Sequence, residues 1–324
     1  MNKFSKPRVV VSKCLEFEAC RYSGDLITDQ TVKSLEPFVE FIPVCPEVEI
    51  GLGVPRETIR LVSGNEEPRL MQPSNEIDLT ERMERFSRNF LSNLGEIDGF
   101  ILKSRSPSCG VRDVPLYKST KKGSMKDGKT SGHFARRVAN YFPEKAIEEE
   151  GRLRNFTIRE HFFIKLFTLA EFREIKEAPT IQKIIAFHSK HKYLFMAYNQ
   201  TKLKELGRIT ANHKQFQIEE VAKAYEEGLY QLFKRAARYT SNINVCEHIM
   251  GYFSKSLRIE EKAYFLEMLE QYRNKKLPLS SLTGVLKSWI IRFDDDYLMQ
   301  QSFFQPYPKE LIAISDSGKG RDYA

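Results

Sequence analysis

The chain has no run of eighteen or so apolar residues, the length a membrane span needs, so a bilayer-crossing helix is not expected. Its opening stretch, MNKFSKPRVVVSKC, carries too short an apolar run for a secretory signal, and a cytoplasmic protein is the expectation. Tryptophan occurs once, at Trp289, and cysteine only five times. Four of those five, Cys14, Cys20, Cys45 and Cys109, fall in the front of the chain, with Cys246 far behind. An odd, front-loaded count without a leader argues against a disulfide framework and for reduced thiols with a metal or catalytic role. There is no compact Cys-x-x-Cys pair, no internal repeat of fixed period, and no glycine-rich phosphate loop beyond Gly51-Leu52-Gly53, which alone is weak evidence for nucleotide binding.

What is present is ordinary globular composition, 41% hydrophobic and 29% charged, over 324 residues, enough for two domains with separate cores. The balance of 51 Lys+Arg against 43 Asp+Glu gives a net charge of +8. Such an excess favours anionic partners, and a solvated cationic surface would show the same balance.

The first half alternates short strands with helices. Arg8 to Ser12 (RVVVS), Phe38 to Val44 (FVEFIPV) and Gly99 to Lys103 (GFILK) are β-branched or aromatic runs of strand length. Helices are predicted around Asp29 to Leu35 and over Leu79 to Leu94, the latter with Met83, Phe86, Phe90, Leu91 and Leu94 at helical spacing and Thr80 as its cap. Alternation of this kind predicts an α/β domain with a mostly parallel sheet and flanking helices. From Tyr117 to Gly132 the chain is basic and aperiodic and reads as a loop, in which Lys118, Lys121, Lys122, Lys126 and Lys129 are either solvated or an RNA contact. The charged junction Glu144 to Arg154 marks the boundary, giving domains 1–150 and 151–324. The second half is read as all-α, with helices at Thr157 onward (Glu160 completing a capping box, Phe162, Leu166, Leu169 and Phe172 inward), Thr180 to Tyr198, Gln215 to Arg238, Thr240 to Phe253, Ile259 to Asn274 and Ser280 to Phe293. The last twenty residues read as an extended arm with a frayed end.

Three of the front cysteines follow the predicted strands: Cys14 two residues after the first, Cys45 directly after the second, Cys109 in SRSPSCG after the third. In a parallel sheet the carboxyl ends of the strands share one edge, and ligands bind outside it, so the three thiols would converge. Three thiols suit an iron-sulfur cluster with one open iron, or a zinc ion with an open position, or, without a metal, small buried side chains.

SKCLEFEACRYSGD (Ser12 to Asp25), PVCPEVEIGLGVPRE (Pro43 to Glu57) and LKSRSPSCG (Leu102 to Gly110) resemble, in order, the signature segments of the thiouracil desulfidase family, a resemblance covering roughly residues 5 to 150. FHSKHKYLFMAYNQTKLKELGRI (Phe187 to Ile209) looks like the YbgA-type helical domain often fused behind it. The resemblance implies a 4Fe-4S cluster on Cys14, Cys45 and Cys109, whose open iron takes sulfur from a thiolated nucleobase such as 2-thiouracil in a non-redox desulfidase reaction. Glu47 is the candidate acid-base group, with Ser106 and Ser108 flanking Pro107 as hydroxyl donors to substrate or cluster; a Glu47 pairing with Arg56 or Arg21, and plain turn chemistry at the serines, are the alternatives. Cys20 is the extra thiol, an assembly aid or a silent neighbour. Lys103 and Arg105 are candidate charge balance. Phe17 and Ser23 stand where the family usually has Gly and Asp. Competing functions are an RNA- or partner-binding protein with a structural or sensing metal site, and a sulfur carrier for tRNA modification. In the second half, His188 and His191 share a helix side without an evident acidic partner, Cys246 and His248 are expected to diverge, and Trp289 reads as core.

Overall fold

Val9, Val10 and Val11 are each fully buried and form the middle of the first sheet. The structure, a computed structural model, describes residues 4–313. The chain divides into one unit running through Ala170 and resumed at Glu310, and a second from Glu171 to Lys309. In the first unit the elements are β1 (Arg8–Ser12), α1 (Gln30–Leu35), β2 (Glu40–Val44), α2 (Pro46–Glu49), β3 (Arg60–Val62), β4 (Arg69–Gln72), β5 (Ile77–Asp78), α3 (Thr80–Ser92), β6 (Gly99–Leu102), β7 (Val114–Tyr117), β8 (Lys126–Thr130), α4 (His133–Tyr141), β9 (Ala146–Glu149), α5 (Glu150–Leu153) and the first part of α6 (Phe156–Glu177).

The first sheet has strand order β2-β1-β6-β9. Every pair in it is parallel: Val10 lies opposite Ile42 on one side and Phe100 on the other, and Phe100 lies opposite Ile147. All four carboxyl ends therefore share one edge. The chain goes from β1 to β2 on one side and then returns past β1 to β6 and β9, so the order reverses between β1 and β6, where open α/β sheets bind ligands. Beneath that edge Val10, Leu61, Leu70, Met83, Phe100 and Phe134 are fully buried in one core, each stabilising the fold by roughly 1.5–3 kcal/mol.

A second sheet, order β5-β4-β3-β7-β8 with only β3 and β7 parallel, has no counterpart in the sequence reading. Its strands are two to five residues long, too short for alternation to stand out from loop composition. Within the stretch expected as a loop, Lys126–Thr130 pairs back on Val114–Tyr117 as an antiparallel hairpin. Its lysines lie exposed on the outermost strand, a placement that discourages edge-to-edge pairing. The charged junction Glu144 to Arg154 contains β9 and α5, the closing strand of the first sheet. At α3 the expected cap is corrected: the Thr80 hydroxyl accepts from Leu70 N (2.8 Å), while Asp78 Oδ1 accepts from Thr80 N (2.8 Å).

The second unit continues α6 and adds α7 (Ile181–Tyr198), α8 (Gln200–Ala211), α9 (Ile218–Leu232), α10 (Tyr239–Tyr252), α11 (Ile259–Arg273), α12 (Leu279–Phe293) and α13 (Asp296–Met299). It is all-α, as expected, with α8 unforeseen. Asn155 caps α6, its Oδ1 accepting from Ile158 N (3.1 Å), in place of the expected Thr157 and Glu160 box. Phe162, Leu166, Leu169 and Phe172 are buried as read, and Trp289 is core, packed on Phe265 at 5.0 Å between ring centroids. Of the expected terminal arm, residues 314–324 lie outside the described residues; Tyr307 and Leu311 are buried, because an aromatic and an aliphatic side chain gain more from burial than from solvent. Among the described residues no helix is long and apolar enough to cross a membrane.

Candidate functional site

At the carboxyl edge of the first sheet lies a cavity of about 460 Å³, whose wall includes Cys14, Cys20, Cys45 and Cys109. β1 ends at Ser12, and a turn follows in which Leu15 N donates to Ser12 O (2.8 Å) while Ile27 N donates to Cys14 O (2.8 Å). That turn fixes Cys14 just beyond the strand. β2 ends at Val44, Cys45 takes extended backbone as the cap residue of α2, and Pro46 opens that helix, a position where its missing N–H costs nothing. Cys109 arrives after β6 on the loop Lys103 to Arg112.

That last loop is held by its surroundings. His133 N and Ala135 N, at the start of α4, donate to Pro107 O (2.9 Å) and Ser108 O (3.0 Å). These are backbone donors with no partner inside their own helix. Gly132 allows the approach, since a Cβ there would stand 2.5 Å from Ser108 O; at Gly110 a Cβ would stand 2.4 Å from Val114 Cγ2. At the switch between β1 and β6, Lys103 N donates to Ser12 Oγ (2.8 Å). Arg105, with φ 59, turns the chain through the left-handed region uncommon for a residue with a side chain.

All four thiols are buried. Burial pushes Cys14 up to about 11, the neighbouring Cys45 adding to this and Lys103 and Arg21 opposing it. Cys20 is pushed up to about 12 by burial and by Cys45 and Cys14. Burial likewise holds Cys109 well above the ordinary thiol value, opposed by a hydrogen bond with Ser12. Metal-free, Cys14, Cys20 and Cys109 stay protonated, and a metal group would release protons from the thiols it bound. Among the described residues no three Cys, His, Asp or Glu side chains gather as ligands of a single metal ion. Cys14, Cys20 and Cys45 pack together and Cys109 shares their cavity wall, an all-thiol donor set whose chemistry suits an iron-sulfur cluster or a zinc ion with an open position.

Glu47 stands beside the thiols and is tied on both oxygens. Arg56 donates to Oε2 from Nε (2.9 Å) and Nη2 (2.7 Å), and Ser108 Oγ (2.9 Å) and Ser106 Oγ (3.3 Å) donate to Oε1. The Arg56 pairing held open in the sequence is therefore formed, and the side chains are only 4% and 12% exposed. Arg56 also donates to Cys20 O (2.9 Å) and Gly53 O (3.1 Å), with Nη2 4.0 Å from Cys45 Sγ. One guanidinium thus joins the Cys20 loop, the Gly53 turn and Glu47. Removing one partner of such a buried pair costs about 3–5 kcal/mol. Ser106 lines the cavity; Ser108 does not, and reaches it through Glu47. Phe17, where the family pattern has glycine, packs edge-on to Phe41 at 5.3 Å, and Ser23 donates to Asp25 at 2.5 Å.

Sequence reasoning missed Arg60 and Tyr117 at the cavity, where Arg60 lies over the Tyr117 ring (4.8 Å); Arg21 lies over Tyr22 (5.3 Å) in the first loop. Arg21, Arg60 and Arg105 all line the cavity and form none of the ion pairs found among the described residues. It also missed Glu149 and Glu150, both buried at the end of β9. The sequence carried no signal for their burial, because both lie in what reads as a solvated charge run. In the second unit the carboxylate partner not evident in the sequence is Glu171: its Oε2 lies 3.2 Å from His191 Nε2, Ser302 Oγ lies 2.8 Å from His191 Nδ1, and Tyr225 OH lies 2.9 Å from His188 Nδ1. His191 spends both ring nitrogens on these partners, and His188 its Nδ1. Cys246 is buried and His248 exposed, diverging as expected.

The family described as 2-thiouracil desulfurase matches residues 9–150, and one described as a protein of unknown function (DUF1722) matches residues 192–308. The chain is 31% identical over 110 residues to the uncharacterized protein YbbK of Bacillus subtilis (strain 168), covering 32% of this chain and 72% of that one. It is 26% identical over 157 residues to the uncharacterized protein YbgA of Escherichia coli (strain K12), covering 48% and 92%. A solved structure titled [4Fe-4S]-dependent thiouracil desulfidase TudS shares 25% identity over 46% of this chain and 93% of that one, at a TM-score of 0.34. At that score the fold assignment stands on the strand order above.

Proposed function

Because this chain belongs through residues 9–150 to the 2-thiouracil desulfurase family, with a DUF1722 region behind, we propose that it removes sulfur from a thiolated pyrimidine, releasing sulfide and the oxo base, at a 4Fe-4S cluster held by Cys14, Cys45 and Cys109. The observation that carries the reading is the convergence of those three thiols on one cavity at the switch point of a parallel sheet. When bound, the cluster supplies a soft iron that attracts a thiocarbonyl sulfur. The remaining work falls to the chain. Ile59, Val114 and Pro115 give the cavity an apolar wall against the pyrimidine face and limit competing water. Glu47, oriented by Arg56, takes a proton at Oε1 as water adds to the ring carbon, and Ser106 and Ser108 relay or hold it. Carbon-sulfur cleavage by this route exchanges sulfur for oxygen without net redox change. Cys20, packed against Cys14 and Cys45, is read as a neighbour of the set.

The cation-lined mouth favours a refinement within this reading, that the pyrimidine carries phosphate, as a thiolated nucleotide or within RNA. Arg21, Arg60 and Arg105 offer unpaired positive charge there, and Tyr22 and Tyr117 offer ring faces. Lys126, exposed on the hairpin, would extend that field, whereas Lys129 is paired with Asp113 (2.9 Å).

Protein purified or reconstituted anaerobically with iron and sulfide is incubated with 2-thiouracil and, in parallel, with a thiolated uridine monophosphate, reading absorbance loss and sulfide release. Turnover that vanishes in Cys45→Ala supports the reading, and failure of the wild-type protein to take up iron ends it. A phosphate-bearing substrate should lose efficiency as salt rises while free base does not, since only the former is drawn by exposed cations.

A further inference from the structure

Resting on that reading of the site, we propose that Glu149 and Glu150 are positioning residues for the loop that carries Cys109: they hold its two ends, so that Ser106, Ser108 and Cys109 stay at the cavity. Leu102, the last residue of β6, lies opposite Glu149, the last residue of β9, so both strands deliver their next residues at the same point of the sheet edge. Glu150 then takes the near end of the loop. Its Oε2 accepts from Ser104 N (2.6 Å), and its Oε1 accepts from Ser104 Oγ (2.6 Å) and Lys103 Nζ (2.5 Å). Glu149 takes the far end, its Oε1 accepting from Arg112 N (2.9 Å). Each is 4% exposed.

The loop's middle is held by α4 through Pro107 O and Ser108 O, so the cysteine loop has external anchors at both ends and in its middle. Two adjacent buried carboxylates are costly unless hydrogen-bonded, and here their acceptor capacity goes to the backbone and side chains of one loop. The two loads differ in kind. Glu149 receives one backbone N–H on one oxygen, which an amide oxygen can replace. Glu150 also neutralises Lys103, which an amide cannot do. Lys103 Nζ has its three donors on Glu150 Oε1, Ser104 Oγ and Ser104 O, so its ammonium is fixed beside the cavity and its pair with Glu150 acts on the loop, not on substrate.

The test compares Glu149→Gln, Glu149→Ala, Glu150→Gln and Glu150→Ala in the full chain, by kcat and KM per loaded cluster, by the electron paramagnetic resonance spectrum of the reduced cluster, and by hydrogen exchange over residues 103–112 in metal-free protein. Glu149→Gln should match wild type. Glu149→Ala and both Glu150 variants should lose about 10- to 100-fold in kcat, the usual effect of disturbing groups that orient ligands, with KM within about threefold, a shifted spectrum and faster exchange across the loop. Unchanged spectrum, kcat and exchange in the alanine variants would overturn the inference, as would Glu149→Gln failing as badly as Glu149→Ala. If an alanine variant does not fold, the contrast between the two glutamine variants decides. If wild-type protein takes up no iron, the site reading fails, while the exchange comparison still decides the positioning.

Discussion

Glu47 shows how one residue acquires a role from its partners. A carboxylate two residues from a thiol is chemically ambiguous; one that receives Arg56 on one oxygen and two serine hydroxyls on the other is an oriented proton acceptor at the cavity. Glu47→Gln keeps the size and one acceptor but removes the basic oxygen, so kcat should fall by about 10²-fold or more, the range for a lost acid-base group, with iron content preserved. Steady-state rates normalised to iron check this. Activity retained per iron would make Glu47 a structural brace for Arg56. Residue identity at Glu47, Ser106, Cys14, Cys45 and Cys109 was legible from the chain because these lie in short motifs tied to strand ends. Arg60 and Tyr117 were not, because their pairing spans 57 positions and no local pattern signals it.

At the scale of elements, the Cys109 loop and the start of α4 form one device. The helix leaves its first N–H groups unpaired, the loop offers Pro107 O and Ser108 O, and Gly132 lets the two backbones meet. Gly132→Ala puts a methyl 2.5 Å from Ser108 O, so the loop must move; overpacking of this kind costs about 1–3 kcal/mol. The expected outcome is a lower melting temperature together with reduced iron retention, read by thermal denaturation and iron assay. Normal iron retention in a destabilised Gly132→Ala would separate the helix from the site. Strands β1 and β6 were readable as buried apolar runs, and β2, at the sheet edge with only Val44 buried, as an apolar run of strand length. Strand β9 was missed, since AIEE followed by EGR carries more charge than apolar signal, and its acids are buried only because the loop supplies donors.

For the molecule as a whole, buried basic groups set its response to acid. Burial first, and the charge of Lys165 second, push the His161 imidazole down to about 4. The unfolded chain takes up that proton near pH 6.5, while the folded chain resists it, so its stability is complete above about pH 6.5 and declines as pH falls toward 4. The loss should be on the order of 2 kcal/mol between pH 7 and pH 5. Denaturant unfolding across that range checks it, and His161→Gln should flatten the profile; an unchanged slope in the variant would assign the acid response elsewhere. In the second unit the same sign holds for His191, lowered by burial, and for Glu171, held down to about 2 chiefly by its His191 and Lys190 partners against its own burial.

The sequence by itself determined the α/β then all-α order, the parallel strands and the short motifs that mark the thiols, because strand-length apolar runs and helical periodicity are local and survive translation into one dimension. Only the tertiary structure decided the second sheet, the Arg56 brace on Glu47, the arginine-tyrosine mouth and the Glu149–Glu150 clamp. Each of those depends on which buried polar group finds a donor or acceptor from a distant part of the chain, and the cost of leaving it without one is felt only when the chain has closed around it.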